Sequence, residues 1–490
     1  MKGRILAIAA VLVASVATAA PAFAGSYDKS LYRGATWYAK FQAVSSGAST
    51  LCTSNVGDAP QLAFGNNVDA SHECGSQSET SIAINPRNNQ NVIAGSNEIQ
   101  RLPMRAMFST DGGQTFTGVD LPLPPPLTNN GFDFGSDPAV AFDTRGNAYY
   151  SYIVVFFSAG GAINGTEMAV ARSSDGGKTW ASTYFNPQTG EGQFNDKPYI
   201  TVDTNPKSKF KNRIYVAWDN ATGFSSSETH GNNILVSFST DGGVTFSNPV
   251  SASPNFKGAT GQIGADPFVA PDGRVHVAWL DYAHSLIAES SSSNGGVSFG
   301  PSHVISSTQI SFDIDLPAQN VRGVLVYPSC GASGAGLYCS WMDGSLATGT
   351  DVFLSKSTDG GVSWGAATIV NVDPAGEVAD QFFQWLAIDP SDASVNVSYY
   401  DTGADPTRKA TLYTLARSTD GGSTFARSAV ANAPTDETCC QPSVNLGNQY
   451  GDYEGLAALN GVVRPVWTDR RQAVIDLGLR EEVFTAALTP

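Results

Sequence analysis

From residue 78 to the C-terminus the chain repeats one pattern of apolar and polar positions. A short apolar run ends at Asp, Asn, Pro or Ser, a turn follows, and a second run alternates apolar with polar residues. The copies are SIAINP with NVIAGSN, PAVAFD with AYYSYIVV, PYITVD with RIYVAWD, and PFVAPD with RVHVAWLD. They continue as VLVYPS with LYCSWMD, QWLAIDP with SVNVSYYD, and GLAALN with VVRPVWTD. Runs rich in Val, Ile, Tyr and Trp between Asp, Pro and Gly predict β-strands. Seven strand pairs therefore predict seven repeated all-β units.

Between these pairs stands an octet, STDGGVTF around Asp241. It recurs around Asp111, Asp175, Asp359 and Asp420, with a weaker copy, SSNGGVSF, around Asn294. Successive copies lie 53 to 66 residues apart. Asp-Gly-Gly between apolar runs predicts a tight turn, because glycine reaches positive φ without steric cost. The Asp and Ser/Thr side chains are suited to bonding the turn's own backbone. At these residues the chain resembles the Asp-box (BNR-repeat) family, whose best-known members are sialidases. The resemblance implies a β-propeller in which each box joins the third and fourth strands of a four-stranded antiparallel blade. It also implies that the boxes share one face and that ligands bind on the other.

Seven strand phrases against six boxes leave the last unit without a fourth strand. A closed ring must pair its first and last blades, since an open sheet edge is a liability. The missing strand is expected from upstream of Ser78, around Gln61–Phe64. Seven blades are favoured, with six as the alternative. The expected division is a signal peptide over 1–24, an N-terminal extension over 25–77 and the propeller over 78–490.

Composition fits this reading: only 15% of residues are charged, with 50 Gly and 26 Pro, a turn-rich β composition. Lys2 and Arg4, the apolar run Ile5–Ala17 and the small residues Ala22 and Ala24 predict a secretory leader cleaved after Ala24. No later segment is apolar enough to span a membrane. The net charge of −16 repels phosphate backbones and argues against a nucleic-acid partner. Six cysteines in an exported chain predict disulfides. Cys330 and Cys339 flank a hairpin-scale loop, whereas pairing among Cys52, Cys74, Cys439 and Cys440 stays open.

Mapped onto the propeller scheme, carboxylates gather on the face opposite the boxes. Glu79, Asp137, Asp196, Asp266, Asp380, Asp452 and Glu454 fall near the starts of first strands. Asp219, Asp281, Asp343, Asp401 and Asp469 fall at the ends of second strands. Carboxylates crowded together raise one another's pKa or recruit a cation such as Ca2+, for which Asp196 and Asp452 are the candidate ligands. An Asp at these positions also caps turns.

The sialidase resemblance implies three arginines on a sugar carboxylate, an Asp acid/base, and a Tyr nucleophile activated by a Glu. Tyr453, Glu454, Asp137 and Asp266 are the candidate catalytic residues. Arg101, Arg322, Arg470, Trp279, Asp281, Trp341 and Asp343 are candidates for binding substrate. The family's first arginine precedes the first blade, whereas Gln100-Arg101-Leu102-Pro103 follows two predicted strands. Neighbouring side chains in a strand also point to opposite faces, which separates Tyr453 from Glu454. No nucleophile elbow and no zinc-protease motif occurs. The expected partner is a glycan or polysaccharide. Cleavage, as a glycoside hydrolase or polysaccharide lyase, and binding alone, as a non-catalytic or scaffold propeller, both stay open.

Overall fold

The computed structural model describes residues 40–43, 61–73, 75–124, 133–157, 163–189, 193–222, 231–253, 261–345, 348–374, 376–440 and 448–490. The expected leader, Cys52 and Cys74 lie outside the described residues.

Seven antiparallel sheets form a β-propeller. Blade 1 is built from Gln77–Ile84, Val92–Glu98, Arg105–Ser109 and Thr117–Asp120, in that order. Blades 2 to 6 repeat the plan over 134–189, 193–251, 262–307, 329–369 and 381–429. Blade 7 takes Gly455–Leu459, Val462–Asp469 and Glu482–Ala486 from the end of the chain, and Asn67–Asp69 from before blade 1. Asn67–Asp69 pairs antiparallel with Glu482–Ala486, so both ends of the chain share one sheet. The preceding Ala63–Phe64 pairs only with Asn67–Asp69, as an outer fifth strand. The closing strand thus lies just beyond the Gln61–Phe64 expected from sequence.

First strands of successive blades contact one another, and the first strand of blade 7 returns to that of blade 1. The sheets pack through their faces. Trp218, Trp279, Trp341 and Trp467 occupy equivalent second-strand positions in blades 3, 4, 5 and 7, and all are fully buried. Truncating such a residue to Ala costs about 3–5 kcal/mol.

The six octets fold alike. In each, the first Ser accepts the N–H of the second Gly and donates to the third residue, as in Ser109 Oγ to Asp111 Oδ1 at 2.8 Å and Gly113 N to Ser109 Oγ at 2.8 Å. The Asp111 carboxylate then accepts Gln114 N, Thr115 N and Thr115 Oγ1. Both glycines are at positive φ in every copy, for instance 81° and 98° at Gly176 and Gly177. A Cβ on Gly177 would stand 2.4 Å from Ile93 Cδ1 of the preceding blade. Glycine is therefore required both for backbone conformation and for the fit between blades.

Two elements depart from the sequence reading. VLVYPS does not form the first strand of the fifth unit; Ser329–Ser333 does, and Gln319–Leu325 pairs with Asp313–Leu316 as an inserted hairpin. Val324 and Leu325 of that run end the hairpin's second strand, and Val326 and Tyr327 are buried on the way into the blade. A short helix, Gln472–Asp476, interrupts blade 7. Cys330 and Cys339 face each other across the first two strands of blade 5 and form a disulfide. The sequence neighbours Cys439 and Cys440 are bonded to each other.

Candidate functional site

Chain direction sets the faces. First strands begin, and second strands end, on the face opposite the boxes. On that face the first strands of blades 1, 2, 3, 4 and 6 each carry a β-bulge, with register breaks at Ser78/Ser81, Ser136/Ala139, Asp196/Tyr199, Ile263/Asp266 and Phe382/Trp385. The first bulged residue is at positive φ each time: Glu79 at 55°, Asp137 at 59°, Lys197 at 52°, Gly264 at 73° and Phe383 at 50°. For a residue with a side chain this costs about 1–2 kcal/mol, and such strain collects at functional sites.

Three of these bulges aim charge at one place. Lys197 Nζ contacts Asp452 Oδ2 at 2.5 Å. Arg322, reaching in from the inserted hairpin, donates to Asp452 Oδ1 at 2.8 Å and Glu79 Oε1 at 2.9 Å. Asn97 Nδ2 holds Glu79 Oε2 at 2.6 Å, and Ser136 Oγ holds Asp137 Oδ1 at 2.8 Å. Gln319 of the hairpin donates to Gly451 O and accepts Tyr450 N, fixing the cap over the mouth. Beneath the charges, Tyr199, Trp385 and Tyr453 from three blades fill the axis, with ring centroids 5.1 to 6.3 Å apart. The Lys197 ammonium lies 5.5 Å from the Tyr327 ring and 5.7 Å from that of Tyr453.

Protonation is uneven across this cluster. Burial pushes Glu79 up to about 8, although Lys197 and Arg322 oppose it. Burial also drives Asp196 well above the usual carboxyl range. Asp137 is as enclosed, yet Lys197 and hydrogen bonds from Asp196 and Ser136 hold it at about 2. The two neighbouring carboxyls are thus pushed in opposite directions, Asp137 toward its ionised and Asp196 toward its protonated form. Lys197 itself loses hydration on burial, but Asp452 and its other neighbours keep it charged. Asp196 is partly exposed, whereas Glu79, Asp137 and Lys197 are buried.

Of the sequence candidates, Asp137, Asp196, Asp452, Tyr453 and Arg322 meet here, together with Glu79. Tyr453 and Glu454 do not act together. Tyr453 donates to Pro138 O at 3.1 Å, while Glu454 turns away to accept Tyr400 OH at 2.5 Å and Thr468 N at 3.0 Å. Burial raises Glu454 to about 7. Asp266 sits two positions past the bulge and accepts Cys330 N of blade 5 at 2.6 Å. Ser81 and Ser329 likewise accept N–H groups of the following blades. Asp266 is thus an inter-blade tie, raised by burial to about 8.

Arg101 binds Glu73 and Asp120 at the outer part of blade 1, and Arg470 donates to Cys439 O at 2.7 Å. Trp279 and Trp341 are core residues. Asp281 accepts His284 N, and Asp343 accepts Gln309 N, Ile310 N and Gly344 N, so both cap turns. Among the described residues no group of three or more His, Cys, Asp or Glu is arranged to hold a metal ion. Of the two calcium candidates, Asp452 is already paired with Lys197 and Arg322.

The sequence reading passed over Lys197, although Asp196-Lys197-Pro198 stands where blade 2 has Ser136-Asp137-Pro138. It also passed over Tyr199 and Tyr327, whose hydroxyls are buried with no hydrogen-bond partner among the described residues. Asp219 Oδ1 and the Gln262 side-chain amide share that condition. Asp219 pairs with Asp196 across blade 3, Gln262 lies two residues before Gly264, and the Tyr327 ring packs where a Gly264 Cβ would stand. These four groups belong to blades 3 and 4 and to Tyr327, which leads into blade 5; Asp137 Oδ2 of blade 2 shares their condition.

The strand pairing and this mouth define a seven-bladed β-propeller with a capped, charge-compensated ionic cluster. No family model and no curated protein matches the chain. Solved structures similar to it include a protein of unknown function from Dyadobacter fermentans, 16% identical with a TM-score of 0.42, covering 70% of this chain and 95% of that one. The NanB sialidase from Streptococcus pneumoniae is 11% identical with a TM-score of 0.45, covering 69% and 66%. The α-L-arabinanase of Penicillium chrysogenum, complexed with arabinobiose, is 10% identical with a TM-score of 0.46, covering 88% and 98%.

Proposed function

We propose that this chain is an exported, sialidase-like propeller that binds a glycan at the mouth opposite the boxes, over blades 3 and 4. One observation carries the reading: Tyr199 OH, Tyr327 OH, Asp219 Oδ1 and the Gln262 amide are buried without partners in the sector around Lys197. Buried polar groups are ordinarily satisfied, and a hydroxyl-rich ligand supplies donors and acceptors together. Flanking aromatic rings suit sugar faces. Export is supported by the leader pattern and by the disulfides. Among the described residues no helix is long and apolar enough to cross a membrane.

Binding is favoured over sialidase-type cleavage by the arrangement of charges. Only Arg322 of the three candidate substrate-binding arginines joins the cluster, and it is committed to Glu79 and Asp452. The Tyr453 hydroxyl is committed to a backbone carbonyl. A second reading rests on Asp137 and Asp196, whose opposite protonation states are what a general acid and its partner carboxylate require. A glycan array paired with a reducing-sugar assay tests both. Binding abolished in Tyr327→Phe and Gln262→Ala, without sugar release, supports the first reading. Sugar release abolished in Asp196→Asn supports the second. No binding to any glycan overturns both.

A further inference from the structure

We infer that the box face carries a second, separate binding site: a cationic pocket between blades 2 and 3 that takes the anionic groups of an acidic polysaccharide. The pocket has a volume of about 350 Å³ and is lined by Arg145, Lys209, Phe210, Lys211 and Arg213. Ligand sites begin at about 300 Å³. These four cations form an island on a chain whose net charge is −16. Arg145, Lys209 and Lys211 are exposed, and none of the four forms an ion pair among the described residues.

The same pocket holds two carboxylates, Asp143 and Asp241, against its four cations, and both are turned to their own turns. Asp143 accepts the backbone N–H groups of Arg145 and Asn147 and the Tyr149 hydroxyl. Asp241 is consumed by its own box turn. The loop is also held in place. Asn212, at a φ of 64°, accepts Thr144 N at 3.0 Å and Thr144 Oγ1 at 2.7 Å, joining the loop that carries Arg145 to the one that carries Lys209 and Lys211. Arg213 donates to Gly295 O, and its guanidinium lies 4.6 Å from the Phe210 ring. Lys209 lies against the same ring at 4.9 Å. Exposed cations without ion pairs, carried on loops that are held in place, favour anionic ligands.

Among polyanions the surroundings select the sparser one. Duplex DNA carries a charge about every 1.7 Å, a density that a chain of net charge −16 opposes. A uronate or sulfated glycan spaces its charges more widely, with neutral hydroxyls between them.

Calorimetry with the full chain tests this, using polygalacturonate and heparin as probes, dextran as the uncharged control and poly(A) as the nucleic-acid control. The expected result is binding of both acidic glycans, weakened by salt, and no binding of dextran or poly(A). Lys209→Glu with Lys211→Glu should weaken binding at least about tenfold with an unchanged melting temperature, and Lys209→Gln with Lys211→Gln should weaken it less. Tyr327→Phe, on the opposite face, should leave this binding intact, which separates its failure from failure of the mouth reading. No binding of either glycan, binding indifferent to charge reversal, or poly(A) bound as tightly would overturn the proposal.

Discussion

At the box face six turns share one octet pattern and, apart from one side-chain bond at Asn294, one set of hydrogen bonds, whereas at the mouth five bulges share a backbone and almost no side chains. Both features repeat around the same ring. The box is satisfied within its own residues, so every blade can use the same ones. The bulge turns a side chain toward the axis, where each blade meets different neighbours. Its first residue is Glu79, Asp137, Lys197, Gly264 or Phe383 accordingly. Electrostatics divides the faces as well. Although partial burial works the other way, hydrogen bonds from Thr115, Thr179 and Thr245 and their neighbours hold Asp111, Asp175 and Asp241 at about 2. At the mouth burial dominates at Glu79 and Asp219, which rise to about 8, whereas Lys197 and hydrogen bonds outweigh it at Asp137.

The contrast can be broken most forcefully at Lys197. Lys197→Met leaves Asp452, Asp137 and Glu79 without their shared ammonium, and stability should fall by about 3–5 kcal/mol in urea unfolding at neutral pH. The loss should shrink toward pH 5 as the carboxyls left uncompensated in the variant take up protons; an equal loss at both would show that Lys197 acts through packing alone.

Next in size is a box glycine. Gly177→Ala forces a side chain to a φ of 98° and toward Ile93 and Phe108, with an expected cost of about 2–4 kcal/mol from strain and overpacking. A melting temperature within error of the parent would refute the role given to that fit.

The two faces should also respond to pH in opposite senses. Glu79, Asp219 and Asp266 have folded values raised by burial to about 8. Their contribution is present below about pH 4, where folded and unfolded forms are both protonated, and is lost as pH rises through about 8. The lowered box aspartates contribute above about pH 4, and that contribution is lost as pH falls toward about 2. Asp266→Asn should therefore flatten the decline in stability between about pH 4 and 8, and Asp175→Asn the acid limb below about pH 4.

The smallest effect is expected at the divergent box. Asn294 Nδ2 donates to Ser298 Oγ at 2.8 Å, where the other boxes accept a hydroxyl proton. Asn294→Asp restores a charge-assisted bond and should stabilise by about 0.5 kcal/mol, seen as a slight rise in the denaturant midpoint.

Much of the fold was legible because its signals are local. Asp-Gly-Gly specifies two positive-φ positions and an acceptor for the turn within a few residues. The alternating strands name the buried face, and seven strand phrases against six boxes foretold a borrowed strand. The hairpin that carries Arg322 was not legible, because Val324-Leu325-Val326 reads equally well as a blade strand. The site was legible only as a crowd of carboxylates. Asp137 and Asp266 look alike in sequence, each followed by Pro, but lie two positions apart relative to the bulge. One joins an ionic cluster and the other ties two blades together.

The sequence by itself determined the repeat, the turn chemistry and the all-β class, since each depends on contacts within a few residues. The tertiary structure decided which carboxylates meet, which of them keeps its proton, that Lys197 and Arg322 compensate them, and that Tyr453 and Glu454 part company. Those outcomes depend on burial and on neighbours hundreds of residues away in the chain, such as Lys197 against Asp452, 255 positions apart. No local pattern encodes them.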